Sequence, residues 1–214
     1  MATIIEQEDL AVDTSPPVRT NYREAAAFAE ELRLEERADL TIEEAETSAN
    51  GEPFELIDGR MVFKMADTKH SNIQGILNGE LYVYFQQNPI GSVLPQLSLR
   101  LWPENKHNFR VPDIAVFLNE NLHAEAKYET RGPDLAIEIV SDDDTASAIF
   151  AKARLYLEKG SRVVWVFFST EKRVTIITPT EWRWESATLA CPEILPGFSI
   201  EVEKIFSSPT RQAA

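Results

Sequence analysis

The chain has 214 residues, 43% hydrophobic and 26% charged, which is enough for one domain with a real core plus an appendage. A net charge of −14 weighs against tight non-specific nucleic-acid binding, and the single cysteine, Cys191, excludes an intrachain disulfide framework or a cysteine-rich zinc site. No apolar run reaches transmembrane length and the acidic N-terminus lacks a signal-peptide pattern, so the cytoplasm is the expected compartment.

The charge is unevenly spread. Residues 1–50 carry 13 acidic and 4 basic residues, a net of −9, whereas residues 51–214 carry 22 acidic and 17 basic, a net of −5. The bulk of the chain is therefore only mildly acidic, which leaves room for a local basic surface. Residues 1–20 are polar and aperiodic around Thr14-Ser-Pro-Pro-Val, the pattern of disorder. Residues 22–38 fit a charged helix with a weak stripe of Ala25, Phe28, Ala29 and Leu32. Residues 1–38 thus read as an acidic, partly disordered extension, and residues 39–208 as the folded domain.

Within that domain a short helix starts at Thr41, where Thr41-Ile-Glu-Glu44 fits a capping box. Phe54 to Phe63 reads as a hairpin turning on Asp58-Gly59. A helix is expected from about Ser71 to Gln87, with Ile73, Ile76, Leu77, Leu81, Tyr84 and Phe85 as its buried stripe and Pro89 beyond its end. Val93 to Leu101 alternates as a strand through Leu97, Leu99 and Leu101. Arg110 to Phe117 and Leu135 to Val140 follow as strands that are apolar on both faces, the signature of central strands in a covered sheet. Thr145 to Lys159 is a helix closed by Gly160, with Asp142-Asp-Asp144 placed to cap its start. Val163 to Phe168 is a buried strand, and Lys172 to Thr178 with Trp182 to Glu185 form a closing hairpin. The strand–helix–strand unit over 135–168 requires a parallel pair with a right-handed crossover.

Two carboxylates interrupt these buried strands, Asp113 and Glu138. Alternation puts Asp113 on a face with Val111 and Ala115, and Glu138 with Ala136 and Val140. A lone carboxylate in such a setting is costly unless a cation or several donors receive it. Two of them on successive strands point to one shared site, most economically a divalent metal held by oxygen. Plainer readings stand beside this one. Asp113 could cap a turn after Pro112, and Glu138 could pair with Lys152 in a structural ion pair. Glu55 alone reads as a hairpin carboxylate and His70 as a helix-start residue. The histidines His70, His107 and His123 show no metal-ligand spacing, Cys191 reads as a small apolar residue, and the four tryptophans as core and edge packing.

Taken in order, these motifs resemble those of the Uma-type restriction endonuclease family within the PD-(D/E)XK nuclease superfamily. The likeness runs from about Leu40 to Phe206. It includes Phe54-Glu-Leu-Ile-Asp-Gly59, His70 opening the next helix, Val111-Pro-Asp113 and Pro133-Asp-Leu-Ala-Ile-Glu-Ile-Val-Ser141. Lys152 with Tyr156 and Gly160, and Leu195-Pro-Gly-Phe-Ser-Ile200, complete it.

The resemblance implies a restriction-endonuclease-like α/β (α+β) fold over residues 39–208, a mixed central sheet flanked by helices. It also implies a Mg²⁺- or Mn²⁺-dependent endonuclease acting on double-stranded or branched DNA, with a homodimer suited to the two-fold axis of a duplex. Asp113 and Glu138 would be metal ligands and Glu55 an extra one. The superfamily's usual lysine position, two residues after the glutamate, is Val140 here, so the likeness assigns the catalytic lysine to Lys152 on the following helix. His70 and Tyr156 would support the site. The chain departs from the family pattern at Ala148, four residues before Lys152, where an acidic residue is common, and at Phe168, where the strand usually ends in aspartate. The alternative is a catalytically inactive binding or assembly module on the same fold.

Because residues 1–38 carry charge mostly of one sign and precede the likeness, their deletion should leave the thermal midpoint nearly unchanged and strengthen DNA binding by removing repulsion. Calorimetric melting of the shortened chain checks this; a large drop in midpoint would show that the segment docks on the domain.

Overall fold

The computed structural model describes residues 37–64, 66–141 and 144–207. The disorder expected over residues 1–20 and most of the helix expected over 22–38 fall outside those residues. Helix α1, Ile42–Ser48, begins as its sequence requires: Thr41 accepts from the Glu44 N–H, and the Glu44 carboxylate accepts from the Thr41 N–H at 2.8 Å. Strands β1, Phe54–Ile57, and β2, Arg60–Phe63, form the expected hairpin. Its turn residues Asp58 and Gly59 both have positive φ, 49° and 76°, the requirement of a two-residue turn matched to strand twist. Asp58 pays the strain through Asn108, whose side-chain amide binds both the Asp58 N–H and its carboxylate.

Helix α2, Thr68–Gln87, starts three residues earlier than its apolar stripe indicated, because Asp67 accepts from the His70 N–H at 2.7 Å and serves as N-cap. Strand β3, Gly91–Pro95, is shorter than the alternation over Val93–Leu101 predicted. Gln96 adopts φ 50°, which ends the extended run, and Leu99 then meets Arg110 and Glu129 only as an isolated bridge. The remaining elements are β4 Ile114–Leu118, β5 Leu135–Val140, α3 Ala146–Glu158, β6 Val163–Phe168, β7 Arg173–Ile177 and β8 Trp182–Glu185, then β9 Thr188–Ala190, β10 Ser199–Glu201 and α4 Val202–Ile205. The N-cap of α3 is Thr145, not the acidic run before it; Asp144 accepts instead from the Ser141 N–H.

Six strands form one mixed sheet in the order β3-β4-β5-β6-β7-β8, in which β5 and β6 are parallel and all other neighbours antiparallel. Two layers of helix cover it. On one face Leu135, Ile137 and Ile139 of β5 pack with Ile73, Leu77 and Leu81 of α2 and with the C-terminal segment through Leu195 and Ile205. On the other, Ala115 and Ala136 leave room for α3 to approach through Ala153 and Tyr156. A third cluster joins Leu40, Ile42, Leu56, Phe109 and Val111, fastening the hairpin to the strand that leads into β4. Trp165 is fully buried, and Trp182 and Trp184 lie exposed on edge strand β8, so both core and edge roles are filled. Burial pushes the Cys191 thiol up to about 12, in keeping with a packing residue. Among the described residues no helix is long and apolar enough to cross a membrane.

Gly59 lies where the hairpin meets the segment entering the domain: a Cβ there would stand 2.8 Å from the Ala38 carbonyl group and 2.9 Å from the Asp39 nitrogen. Gly59→Ala therefore adds a backbone clash to a left-handed φ and should cost at least ~1–3 kcal/mol, read as a lower denaturation midpoint. An unchanged midpoint would mean that residues 38–39 do not press on the turn.

Candidate active site

The register of the central strands sets the site. Ile114 pairs with Ile137 and Ala115 with Ala136, so the residue before β4, Asp113, comes level with Glu138 of β5. Asp113 lies just ahead of its strand and not within it, as the sequence had indicated, yet it is only 3% exposed. Glu138 occupies the same face as Ala136, toward α3, and is equally buried. From α3, Lys152 and Tyr156 reach it one helical turn apart. Backbone bonds between Leu56 and Phe109 hold β1 beside the strand entering β4 and so bring in Glu55.

All six residues singled out from the sequence are linked, in a group of four and a pair. The Lys152 ammonium lies 2.9 Å from Glu138 Oε2 and 2.9 Å from Glu55 Oε1. The Tyr156 hydroxyl donates to Glu138 Oε1 at 2.9 Å, and the Val111 N–H donates to Glu55 Oε1 at 2.7 Å. His70 Nε2 lies 3.2 Å from Asp113 Oδ2, which also accepts from the Ile139 N–H at 2.7 Å. The two groups are joined by a residue that sequence reasoning missed. Lys64, just after β2, lies 2.9 Å from Asp113 Oδ1, donates to the Val111 carbonyl at 2.6 Å and stands 3.9 Å from Glu138 Oε2. It joins the Asp113 half of the cluster to the Glu138 half. Gln74 adds a bond from α2 to the Asp113 carbonyl.

The electrostatics follow from burial. Desolvation opposes ionisation of Asp113, but Lys64, His70 and Lys152 outweigh it and hold its carboxyl well below the usual carboxylate range. Glu55 also stays lower than usual, since Lys152, Lys64 and the Val111 N–H overcome its burial. Glu138 moves up: burial and the adjacent charges of Asp113 and Glu55 exceed the pull of the two lysines. For Lys152, burial favours the neutral amine, yet Glu138, Glu55 and Asp113 raise it well above the usual lysine value. Burial and Glu138 likewise raise the Tyr156 hydroxyl, which keeps it a donor.

Three carboxylates thus face two ammonium groups, an excess of one negative charge before any charge on His70. The donors suit a hard divalent cation, and a cation already stands among them: the Lys64 ammonium is surrounded by the Val111 carbonyl, Asp113 and Glu138, all oxygen. Among the described residues no three His, Cys, Asp or Glu side chains are arranged to hold a metal ion. Glu55 accordingly faces Lys152 and Val111, and the oxygen set around the Lys64 position consists of two carboxylates and one backbone carbonyl.

With this geometry in place, comparison with known proteins gives the class. Residues 35–203 match the Uma2 family, described as "Putative restriction endonuclease", and the chain belongs to that family. It also resembles a solved structure from Anabaena variabilis described as "a putative nuclease belonging to DUF820". That likeness has a TM-score of 0.68 at 22% identity, covers 78% of this chain and 97% of the other, and shows a shared fold. No curated protein matches the chain.

Lys152 is the hub of the cluster, so Lys152→Ala strands Glu55 and Glu138 as unpaired buried charges. The change should cost about 3–5 kcal/mol whether or not the protein is an enzyme. Urea unfolding followed by circular dichroism measures it, and a loss below about 1 kcal/mol would mean that water already reaches the pair.

Proposed function

We propose that the chain is a metal-dependent endonuclease that hydrolyses DNA phosphodiester bonds. The observation that carries this reading is the convergence of three strand-end and helix groups at one buried point. Asp113 and Glu138 flank a shared cation position, with Lys152 bonded to Glu138 beside it. Membership of a family described as "Putative restriction endonuclease" supports it. The resemblance to the solved structure from Anabaena variabilis supports the fold on which that reading rests.

Asp113 and Glu138, with the Val111 carbonyl, would hold Mg²⁺ or Mn²⁺. When bound, such an ion polarises the phosphate and lowers the pKa of its water. The chain's own groups do the rest. Lys152, a cation fixed between Glu55 and Glu138, donates toward the attacking water and the phosphate oxygen where negative charge grows. Tyr156 and Glu55 fix the orientation of Glu138 and Lys152; His70 and the Ile139 N–H do the same for Asp113. Duplex or branched DNA is the substrate class, and a homodimer would set two sites about the two-fold axis of a duplex.

A second reading is favoured by a specific observation: each carboxylate of the cluster already has a lysine partner, so the network satisfies itself without a metal. In that case the protein is an inactive binding module on a nuclease fold. A nicking assay on supercoiled plasmid separates the two. The active reading requires conversion to open-circular or linear DNA with Mg²⁺ or Mn²⁺, none with EDTA, and a loss of at least ~100-fold in Asp113→Asn. No cleavage by the wild type, together with no rise in melting temperature on adding Mn²⁺, leaves only the binding module.

A further inference from the structure

Lys64 does not belong to any motif that the fold or the family likeness singles out, yet it has the most telling position in the cluster. Its ammonium is bounded by the Val111 carbonyl at 2.6 Å, Asp113 Oδ1 at 2.9 Å and Glu138 Oε2 at 3.9 Å. These are the oxygen atoms that a hard cation would take. Lys152 shares two of these oxygens, Glu138 Oε2 at 2.9 Å and the Val111 carbonyl at 3.4 Å. It reaches them from α3, however, and is tied as well to Glu55 Oε1 at 2.9 Å, and it makes no contact with Asp113 as close as that of Lys64. Two ammonium groups therefore divide the work: one is enclosed by helix α3, the other fills the gap between the strand carboxylates.

The two differ in their freedom to leave. The Lys64 side chain is 20% exposed and rises from the chain just past the end of β2, outside any helix or sheet. Lys152 is 13% exposed and anchored on α3, with Tyr156 below it. A lysine stem is long and has several rotatable bonds, so an ammonium near solvent can swing out at small cost, provided another cation replaces its charge.

We propose that Lys64 is the resident occupant of the cation position: its ammonium satisfies Asp113 and Glu138 in the resting protein and must swing out before a divalent ion can enter. This rests on the metal-dependent reading above and adds to it a residue that sets how tightly the ion binds. Lys64 keeps two adjacent buried carboxylates from repelling each other, and the same contact makes each binding event a displacement. Ion affinity is then lower than the oxygen set alone would give, by the strength of the lysine contact. Since the competitor carries one charge and the entrant two, displacement turns the site from an excess of one negative charge to neutrality.

The test compares Mn²⁺ binding to the full-length wild type, Lys64→Met and Lys64→Arg by isothermal titration calorimetry, with the melting temperature read in parallel. Methionine keeps the apolar stem and removes the competitor; arginine keeps the charge. Lys64→Met should bind Mn²⁺ at least tenfold more tightly than the wild type. Its melting temperature should be lower without the ion and rise further on adding it. Lys64→Arg should bind no more tightly than the wild type. Equal Mn²⁺ affinity in wild type and Lys64→Met would overturn the displacement while leaving the metal site intact. An absence of binding in all three would overturn the metal reading itself and this proposal with it. Should Lys64→Met fail to fold without the ion, Lys64→Gln, which keeps a donor to the Val111 carbonyl, carries the same expectation of tighter binding, and wild-type affinity there would overturn it.

Discussion

Three carboxylates and two ammonium groups share a volume nearly closed to water, and neither set is stable there without the other. Removing a carboxylate from water costs several kcal/mol, and only close cations with well-directed donors offset it. The rest of the structure can be understood as the means of meeting that condition. The hairpin β1–β2 brings Glu55 and Lys64 together at its open end, and is tied to the entering strand by Leu56 and Phe109. Helix α2 contributes His70 and Gln74 to Asp113, and α3 contributes Lys152 and Tyr156 to Glu138. Four separate elements therefore converge on the ends of β4 and β5.

Burial of an acid does not by itself define such a site. Asp134 is fully buried at the start of β5, only four residues before Glu138. Its carboxylate accepts from the Leu118 N–H and from the Asn121 amide, with the Arg131 guanidinium 3.9 Å away, and it braces the loop between β4 and β5. Glu138 is instead satisfied by a lysine and a tyrosine hydroxyl, and stands opposite a second carboxylate across the cation position. What separates the two acids here is the identity of their close partners: a lysine and a tyrosine hydroxyl on Glu138, a backbone N–H and a side-chain amide on Asp134.

Where hydrophobic alternation and turn chemistry act locally, the sequence was sufficient. Thr41 and Glu44, the Asp58-Gly59 turn, the stripe of α2 and strands β5 to β8 follow from neighbours within a few residues. Asp113 and Glu138 stood out because each breaks an apolar run, and antiparallel pairing of β4 with β5 brings them level. Three features were not legible for a common reason. Lys64 meets Asp113 49 residues further on, a pairing that periodicity does not encode. The early end of β3 comes from a left-handed Gln96, a residue type that gives no turn signal. The N-cap of α3 fell to Thr145 because Asp144 found a nearer donor in Ser141. A charge count held the one clue to Lys64: three buried carboxylates require more cation than Lys152 alone supplies.

That count also bears on how an acidic protein could receive a phosphodiester. The cluster carries one negative charge in excess, and a phosphodiester brings another. At a separation of about 5 Å and an effective dielectric near 20, two like charges repel by about 3 kcal/mol, enough to oppose binding roughly a hundredfold. A divalent cation that takes the place of Lys64 between Asp113 and Glu138 would bring the cluster to neutrality and remove that repulsion. Substrate entry and cation entry are then coupled, and the coupling comes from the ratio of carboxylates to lysines, not from any contact with the bases. It works at short range in a nearly dry site, where screening by salt is weak. The net charge of the chain is thus a poor guide to what its buried centre can bind; the local balance among six side chains decides it.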